Sequence, residues 1–366
     1  MKVANEAAKQ VIQGGSRRAA SLYLLCDWHP DIEEFIQVKL DLNELTYANL
    51  SVSISDAFMA AVESDKDWEL IFPDTTHPAY DAEWDGDIDT WWHKGYPVKT
   101  YKTVKARELW RKIAEAAWAS GEPGVVFLER MNKLFNARYH SRIIAPNPCG
   151  ELPLQPYGSC CLGALNLVAF VQRGELLLSE LAEATSTAVQ FLDNVLDLEQ
   201  YPLPQIREAT LNLRRIGLGT MGLADALILL GMRYGSKEAN TFIATVYSTI
   251  KHAAYKKSIT LAKQRGPFPA FDRDKFPDAP FVRELRAEIA EFGIRNATLL
   301  TQAPTGTTSI LAGVSSGIEP NFAREYKRRD RLGDHVVRHW LADYKHFVEA
   351  HELTPEEHLR AQAVVQ

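Results

Sequence analysis

Strand-like and helix-like stretches alternate along most of this chain, and that alternation constrains its fold more than any other feature. Residues 20–26 (ASLYLLC) read as a short apolar strand, and residues 32–38 as a helix after the His29-Pro30 stop. Residues 104–118 place Ala106, Leu109, Trp110, Ile113 and Ala117 at helical spacing, and Gly121-Glu122-Pro123-Gly124 turns the chain into strand 125–128. Residues 181–198, 223–230 and 239–264 read as further helices, and residues 296–301 as a strand entering the turn Pro304-Thr305-Gly306-Thr307. Such alternation implies an α/β protein with a mostly parallel sheet, open or closed into a barrel.

A chain of 366 residues suits two domains or one large barrel, and 46% hydrophobic with 24% charged residues excludes disorder and a disulfide scaffold. The formal net charge of -6 argues against a surface that coats nucleic acid, although a local anion pocket is compatible with it. No apolar run approaches the roughly 18 residues of a membrane span, and MKVANEAAKQ is followed by no apolar signal core. The expectation is a soluble cytoplasmic protein with neither nucleic acid nor membrane as a partner. Four cysteines match no zinc spacing, but Cys149, Cys160 and Cys161 fall within thirteen residues.

Both ends read as cut. The first dozen residues look like the last turns of a helix entering the glycine turn at Gln13-Gly14-Gly15. Thr354-Pro355-Glu356-Glu357 is a capping box that opens a helix, HLRAQAVVQ, barely long enough to be stable alone, so its packing partner is expected elsewhere.

Several motifs carry candidate chemistry. Gly217-Leu218-Gly219-Thr220-Met221-Gly222 fits a dinucleotide fingerprint, but Glu238 lies in a helix-like stretch, so a tight strand-to-helix packing turn is the better reading. The acidic run from Asp81 to Asp89 imitates a calcium loop but ends on Trp92, and reads as a solvated turn. His335 and His339, one helical turn apart, read as a wet helix face rather than a metal site. Pro304-Thr305-Gly306-Thr307-Thr308-Ser309 suits either a phosphate or ordinary N-capping. In Asn147-Pro148-Cys149-Gly150-Glu151, an extended loop would aim Asn147, Cys149 and Glu151 into one pocket, where a sulfur could react beside a general base. On chemistry alone a buried cysteine acting as a small hydrophobe remains the commoner explanation.

Together these segments resemble the catalytic subunit of ribonucleotide reductases, most nearly the class II, adenosylcobalamin-dependent enzymes. The resemblance runs over nearly the whole chain and is carried by NPCGELPLQPYGSCCLGALNL, FLDNVLDLEQYPLPQI, RRIGLGTMGLAD and TQAPTGTTSILAGVSSGIEPNFA. It implies a ten-stranded α/β barrel of the glycyl-radical type, with residues 1–366 forming the central part of one barrel domain that is incomplete at both ends. It also turns the G-x-G-x-x-G motif into packing and the threonine loop into a substrate-phosphate site formed by Thr305, Gly306, Thr307 and Thr308.

By the same resemblance Cys149 is the radical cysteine on a finger loop. Its hydrogen passes to the 5′-deoxyadenosyl radical, and the thiyl then takes the 3′-hydrogen of the ribonucleotide. Glu151 deprotonates the 3′-hydroxyl, Asn147 orients the sugar hydroxyls, and Cys160 is one of the two reducing cysteines. Cys161 stands where the family pattern expects asparagine, and reads as an inert thiol. Gln13, Gly14, Gly15, Arg17 and Arg18 match the loop between an allosteric effector and the substrate base. The implied partners are a ribonucleoside di- or triphosphate, a dNTP or ATP effector, a thioredoxin-like or dithiol reductant, complementary N- and C-terminal segments, and a second copy in a homodimer. No resident metal is expected. The alternatives are a class I large subunit with a separate radical-generating subunit, or a split or intein-interrupted piece that is inactive alone. The expected product is the deoxyribonucleotide used for DNA replication.

Overall fold

The computed structural model describes residues 1–13, 17–276, 280–330 and 333–366. The expected loop residues Gly14 and Gly15 lie outside them. The chain forms two compact units, one of residues 1–138 and 142–155, the other of residues 139–141 and 156–366.

The first unit is built on a parallel three-stranded sheet. Strand β1 (Ser21–Cys26) pairs with β2 (Ala48–Ser53), and β2 pairs with β3 (Gly124–Val126). The crossover between β1 and β2 contains the helix Ile32–Gln37, and the longer one between β2 and β3 contains Asp56–Glu63 and Ala106–Ser120. Ile32, Phe35, Leu50, Val52, Phe58, Leu109 and Ile113 from these elements form one core. The helix expected from residue 104 starts at Ala106 because Val104 and Lys105 complete the antiparallel strand Val98–Lys105, whose partner is Asp67–Pro73. In the acidic run, Asp87 caps the helix Ile88–His93 by accepting from the Asp89 amide at 3.1 Å, and Trp91 is buried. That end of the run is thus a folded helix start. At the N-terminus the expected helix spans Lys2–Gln10, after which the backbone of Gln13 pairs antiparallel with that of Arg17.

The second unit centres on a parallel pair, β4 (Cys161–Asn166) and β5 (Ile216–Met221), with Cys161 opposite Ile216. The fingerprint glycines therefore lie inside a strand rather than in the turn after one. Only Gly222, at φ 78°, starts the helix Leu223–Leu229. The expected strand 296–301 is reduced to a bridge between Leu218 and Leu300, with flanking hydrogen bonds from the Ile216 amide to the Thr298 carbonyl and from the Thr301 amide to the Leu218 carbonyl. Helix Leu178–Leu198 packs on this sheet, and the long helix Lys237–Arg265 packs against that helix. The terminal helix Pro355–Val365 carries its capping box and buries Ala361 in the same core as Ile243 and Val246, so its packing partner lies within this chain. His335 lies in the second strand of an antiparallel hairpin, Glu325–Asp330 with Gly333–Arg338, and not on a helix; His339 follows it. Neither unit closes into a barrel among the described residues.

Candidate functional site

In the first unit the segment carrying Asn147, Cys149 and Glu151 is the tip of a hairpin. Ala145–Pro146 pairs antiparallel with Pro153–Leu154, which fixes the width of the intervening turn. The Gly150 amide donates to the Asn147 carbonyl at 2.9 Å, and Gly150 adopts φ +87°, a conformation glycine reaches without a Cβ penalty. The segment is thus a tight turn and not the extended loop expected from the sequence, so the alternation of side chains that placed three groups in one pocket does not hold. Asn147 acts within the turn: its Oδ1 accepts from the Leu152 amide at 2.9 Å. The Asn49 side chain donates to the Pro148 carbonyl at 2.6 Å and ties the tip to β2.

The turn leaves Cys149 exposed, so it is not the buried small hydrophobe of the simpler reading. Partial burial and then the Glu151 carboxylate push its thiol above the usual range. Near neutral pH the sulfur therefore keeps its hydrogen, which is the form required of a hydrogen-atom donor. Glu151 is half-buried beside it. Cys26, at the end of β1, is different: burial first and Asp27 second drive its thiol up to about 12. It is an inert thiol.

In the second unit Cys160 directly precedes β4 and is half-buried, with its thiol directed at the Cys161 carbonyl at 3.9 Å. Cys161 points to the opposite face by strand alternation. The threonine loop ends at Thr305, which has φ 53° and opens the helix Gly306–Ala312 without a side-chain cap. Thr305 Oγ1 instead accepts from the Gly317 amide at 2.9 Å and pins the loop to the following turn. Ordinary capping therefore does not explain Thr305. Gly306, Thr307 and Thr308 are exposed.

Sequence reasoning missed two buried charge clusters of this unit. Asp193, fully buried, receives Arg214, Arg265, Arg295 and the Asn296 amide, and Arg214 also forks onto Asp197 at 2.7 and 3.0 Å. This ties helix Leu178–Leu198 to the segment beside β5. Asp225, equally buried, accepts from the Ser315 amide, Asn321 and Trp340, and lies 3.2 Å from His339 Nε2. The only sequence signal for either was charge inside an otherwise apolar pattern. Among the described residues, no group of three or more His, Cys, Asp and Glu side chains could hold a metal ion, and no helix is long and apolar enough to cross a membrane.

The sequence matches the family described as "Ribonucleotide reductase, barrel domain" over residues 1–364. A vitamin B12-dependent ribonucleoside-diphosphate reductase of Mycobacterium tuberculosis is 36% identical over 400 residues, covering 100% of this chain and 53% of the relative. One from Thermoplasma acidophilum is 37% identical, covering 92% of this chain and 40% of the relative. A ribonucleoside-diphosphate reductase subunit alpha of Chlamydia pneumoniae is 31% identical, covering 92% and 36%. The chain thus spans about half or less of the length of these relatives. With a match across nearly the whole length of the chain, the chain belongs to the ribonucleotide reductase family.

Proposed function

We propose that this chain is the catalytic part of an adenosylcobalamin-dependent ribonucleoside-diphosphate reductase, and that its two units contribute to a ten-stranded barrel in a single catalytic domain. The observation that carries the reading is Cys149, exposed on a braced turn with its thiol held protonated. The relatives named as B12-dependent, at 36% and 37% identity, support this cofactor over a separate radical-generating subunit. A protonated, accessible thiol fits the cofactor, because the chemistry adenosylcobalamin supplies when bound is removal of one hydrogen atom, and Cys149 is the residue that would give it up.

The remaining steps belong to the chain. Cys149, as a thiyl, takes the 3′-hydrogen of the ribose. Glu151 accepts the 3′-hydroxyl proton, and the 2′-hydroxyl leaves as water. Cys160 and a second thiol together deliver two electrons and two protons and become a disulfide, and Cys149 finally returns its hydrogen to C3′. The net change is ribonucleotide plus dithiol to 2′-deoxyribonucleotide, disulfide and water. Thr305 to Thr308 would hold the substrate phosphates, with Asn147 bracing the turn and also orienting the sugar. The loop of Gln13, Gly14, Gly15, Arg17 and Arg18 would connect a dNTP or ATP effector to the substrate base. A thioredoxin-like protein or small dithiol would regenerate the cysteines. Multiple turnover would also require the further segments that the longer relatives carry.

The test uses the enzyme containing this chain, supplied with adenosylcobalamin, a ribonucleoside diphosphate and a dithiol. Cys149→Ser is expected to abolish both exchange of the substrate 3′-hydrogen and formation of deoxyribonucleotide. Turnover retained by that variant overturns the assignment.

A further inference from the structure

The parallel register pairs Cys161 with Ile216, so the residues just before them, Cys160 and Arg215, stand side by side on one face of the pair. Gly217 is the next residue on that face. A Cβ there would lie 3.1 Å from Cys160 Sγ and 2.7 Å from both Leu162 Cδ2 and Thr301 Cγ2. The sulfur thus borders the space left by the missing side chain, together with Leu162 and Thr301, and Arg215 stands just before the strand that carries that glycine. Arg215 is only 3% exposed, and its Nε donates to Thr298 Oγ1 at 3.2 Å. Burial lowers its pKa, and the charge of Cys160 opposes that shift, so the two groups sense each other.

The neighbouring charges are sorted. Arg214 is engaged by Asp193 and Asp197. Cys161 faces the other way, where burial and then Glu199 push its thiol up. Arg215 is thus a cation that bears on Cys160, whereas the carboxylate that bears on its sequence neighbour is Glu199.

We propose that Arg215 is a positioning residue that stabilises negative charge on the Cys160 sulfur and sets its reactivity apart from that of Cys161. This deepens the reading of Cys160 as a reducing thiol and rests on it. In exchange with a dithiol reductant, the attacking thiolate bonds to the other sulfur of the disulfide, and the electron pair of the broken S–S bond leaves on Cys160 Sγ. A buried guanidinium beside that sulfur favours this direction of cleavage, because a thiol of lower pKa leaves faster.

The test is iodoacetamide alkylation of each cysteine in the full chain, followed by peptide mass spectrometry from about pH 5 to 10. Wild-type Cys160 is expected to titrate below the roughly 8.5 of a free thiol. Arg215→Met should move that profile up and slow Cys160 alkylation at neutral pH by about tenfold or more, the change expected for one pKa unit. Arg215→Lys should stay near wild type, and Cys161 should not change in either variant. Identical profiles for wild type and Arg215→Met overturn the proposal. So does a wild-type Cys160 that titrates at or above a free thiol, a measurement that decides the matter even where the methionine variant does not fold. Turnover surviving Cys160→Ser in the complete enzyme would remove Cys160 from the reaction while leaving the alkylation result standing. An unchanged alkylation profile with turnover lost in Cys160→Ser would overturn only the role of Arg215.

Discussion

Glu151 acts on Cys149 through charge, and the sign of that effect is measurable. The Glu151 carboxylate opposes formation of a second negative charge on the sulfur, adding to the effect of partial burial. Glu151→Gln removes the repulsion and leaves the turn backbone intact, so the Cys149 thiol should ionise at lower pH. Cys149 should then be alkylated faster than in wild type at neutral pH, read peptide by peptide, with Cys26 unreactive in both. An equal or slower rate would show that the carboxylate does not bear on the thiol. The residue types were legible in the sequence as a thiol, a carboxylate and an amide at alternate positions of NPCGE, but it was the family resemblance, not the pattern alone, that raised them above an ordinary buried cysteine. Their geometry was not legible. Gly150 at positive φ converts the segment into a turn, and a glycine in sequence does not announce which of its permitted conformations it adopts. Arg215 was illegible for another reason. Its neighbour Cys160 is 55 positions away and meets it only through strand register, which no local pattern encodes.

At the scale of elements, β5 shows why the chain uses glycine inside a strand. A Cβ on Gly219 would lie 2.3 Å from the Thr301 carbonyl oxygen, a backbone atom that cannot rotate away. Gly163 on β4 is less constrained, since its Cβ would meet side-chain methyl groups, those of Leu192 at 3.3 and 3.4 Å and one of Leu218 at 3.6 Å. Alanine normally gains about 0.5–1 kcal/mol over glycine within a strand, so the two substitutions should diverge. Gly219→Ala is expected to destabilise by at least about 1–3 kcal/mol, the range typical of overpacking. Gly163→Ala should stay within about 1 kcal/mol of wild type, both measured by urea unfolding. Equal stability of the two variants would remove close approach as the reason for Gly219. The helices and β1 were readable because their apolar periodicity extends over several turns or an unbroken run. Residues 296–301 look like a strand by composition, but they pair with β5 at a single bridge, and strand content of that kind depends on the partner. The histidine pair failed similarly, since a spacing of four fits a helix face and also one edge of a hairpin and the residue just past it.

At the scale of the whole molecule, each unit has its own apolar core and its own buried carboxylates, and these differ in the partners they are given. The second unit surrounds Asp193 with three arginines and Asp225 with four hydrogen-bonding groups, so both carboxylates are satisfied by partners. In the first unit Asp27 is 1% exposed, its Oδ2 accepts from the Ser55 amide at 2.6 Å, and its Oδ1 has no hydrogen-bond partner. Burial is the main cause that raises its carboxyl from 3.8 to about 6, with the Glu129 charge adding to it. The folded state therefore holds this proton more tightly than the unfolded chain. The resulting stabilisation is fully present below about pH 3.8 and is lost as pH rises through about 6. Above that pH the buried charge costs on the order of 3 kcal/mol, at about 1.4 kcal/mol per pH unit. Asp27→Asn keeps an acceptor for the Ser55 amide and removes the charge. The variant should be more stable than wild type above pH 6 by up to about that amount, and the gain should vanish near pH 4. Thermal unfolding followed across this range, with hydrogen exchange at β1 and β2 to assign the change to the first unit, measures both. A gain independent of pH would mean that packing and not ionisation sets the cost, and a loss of stability at every pH would mean that the carboxylate is satisfied as it stands.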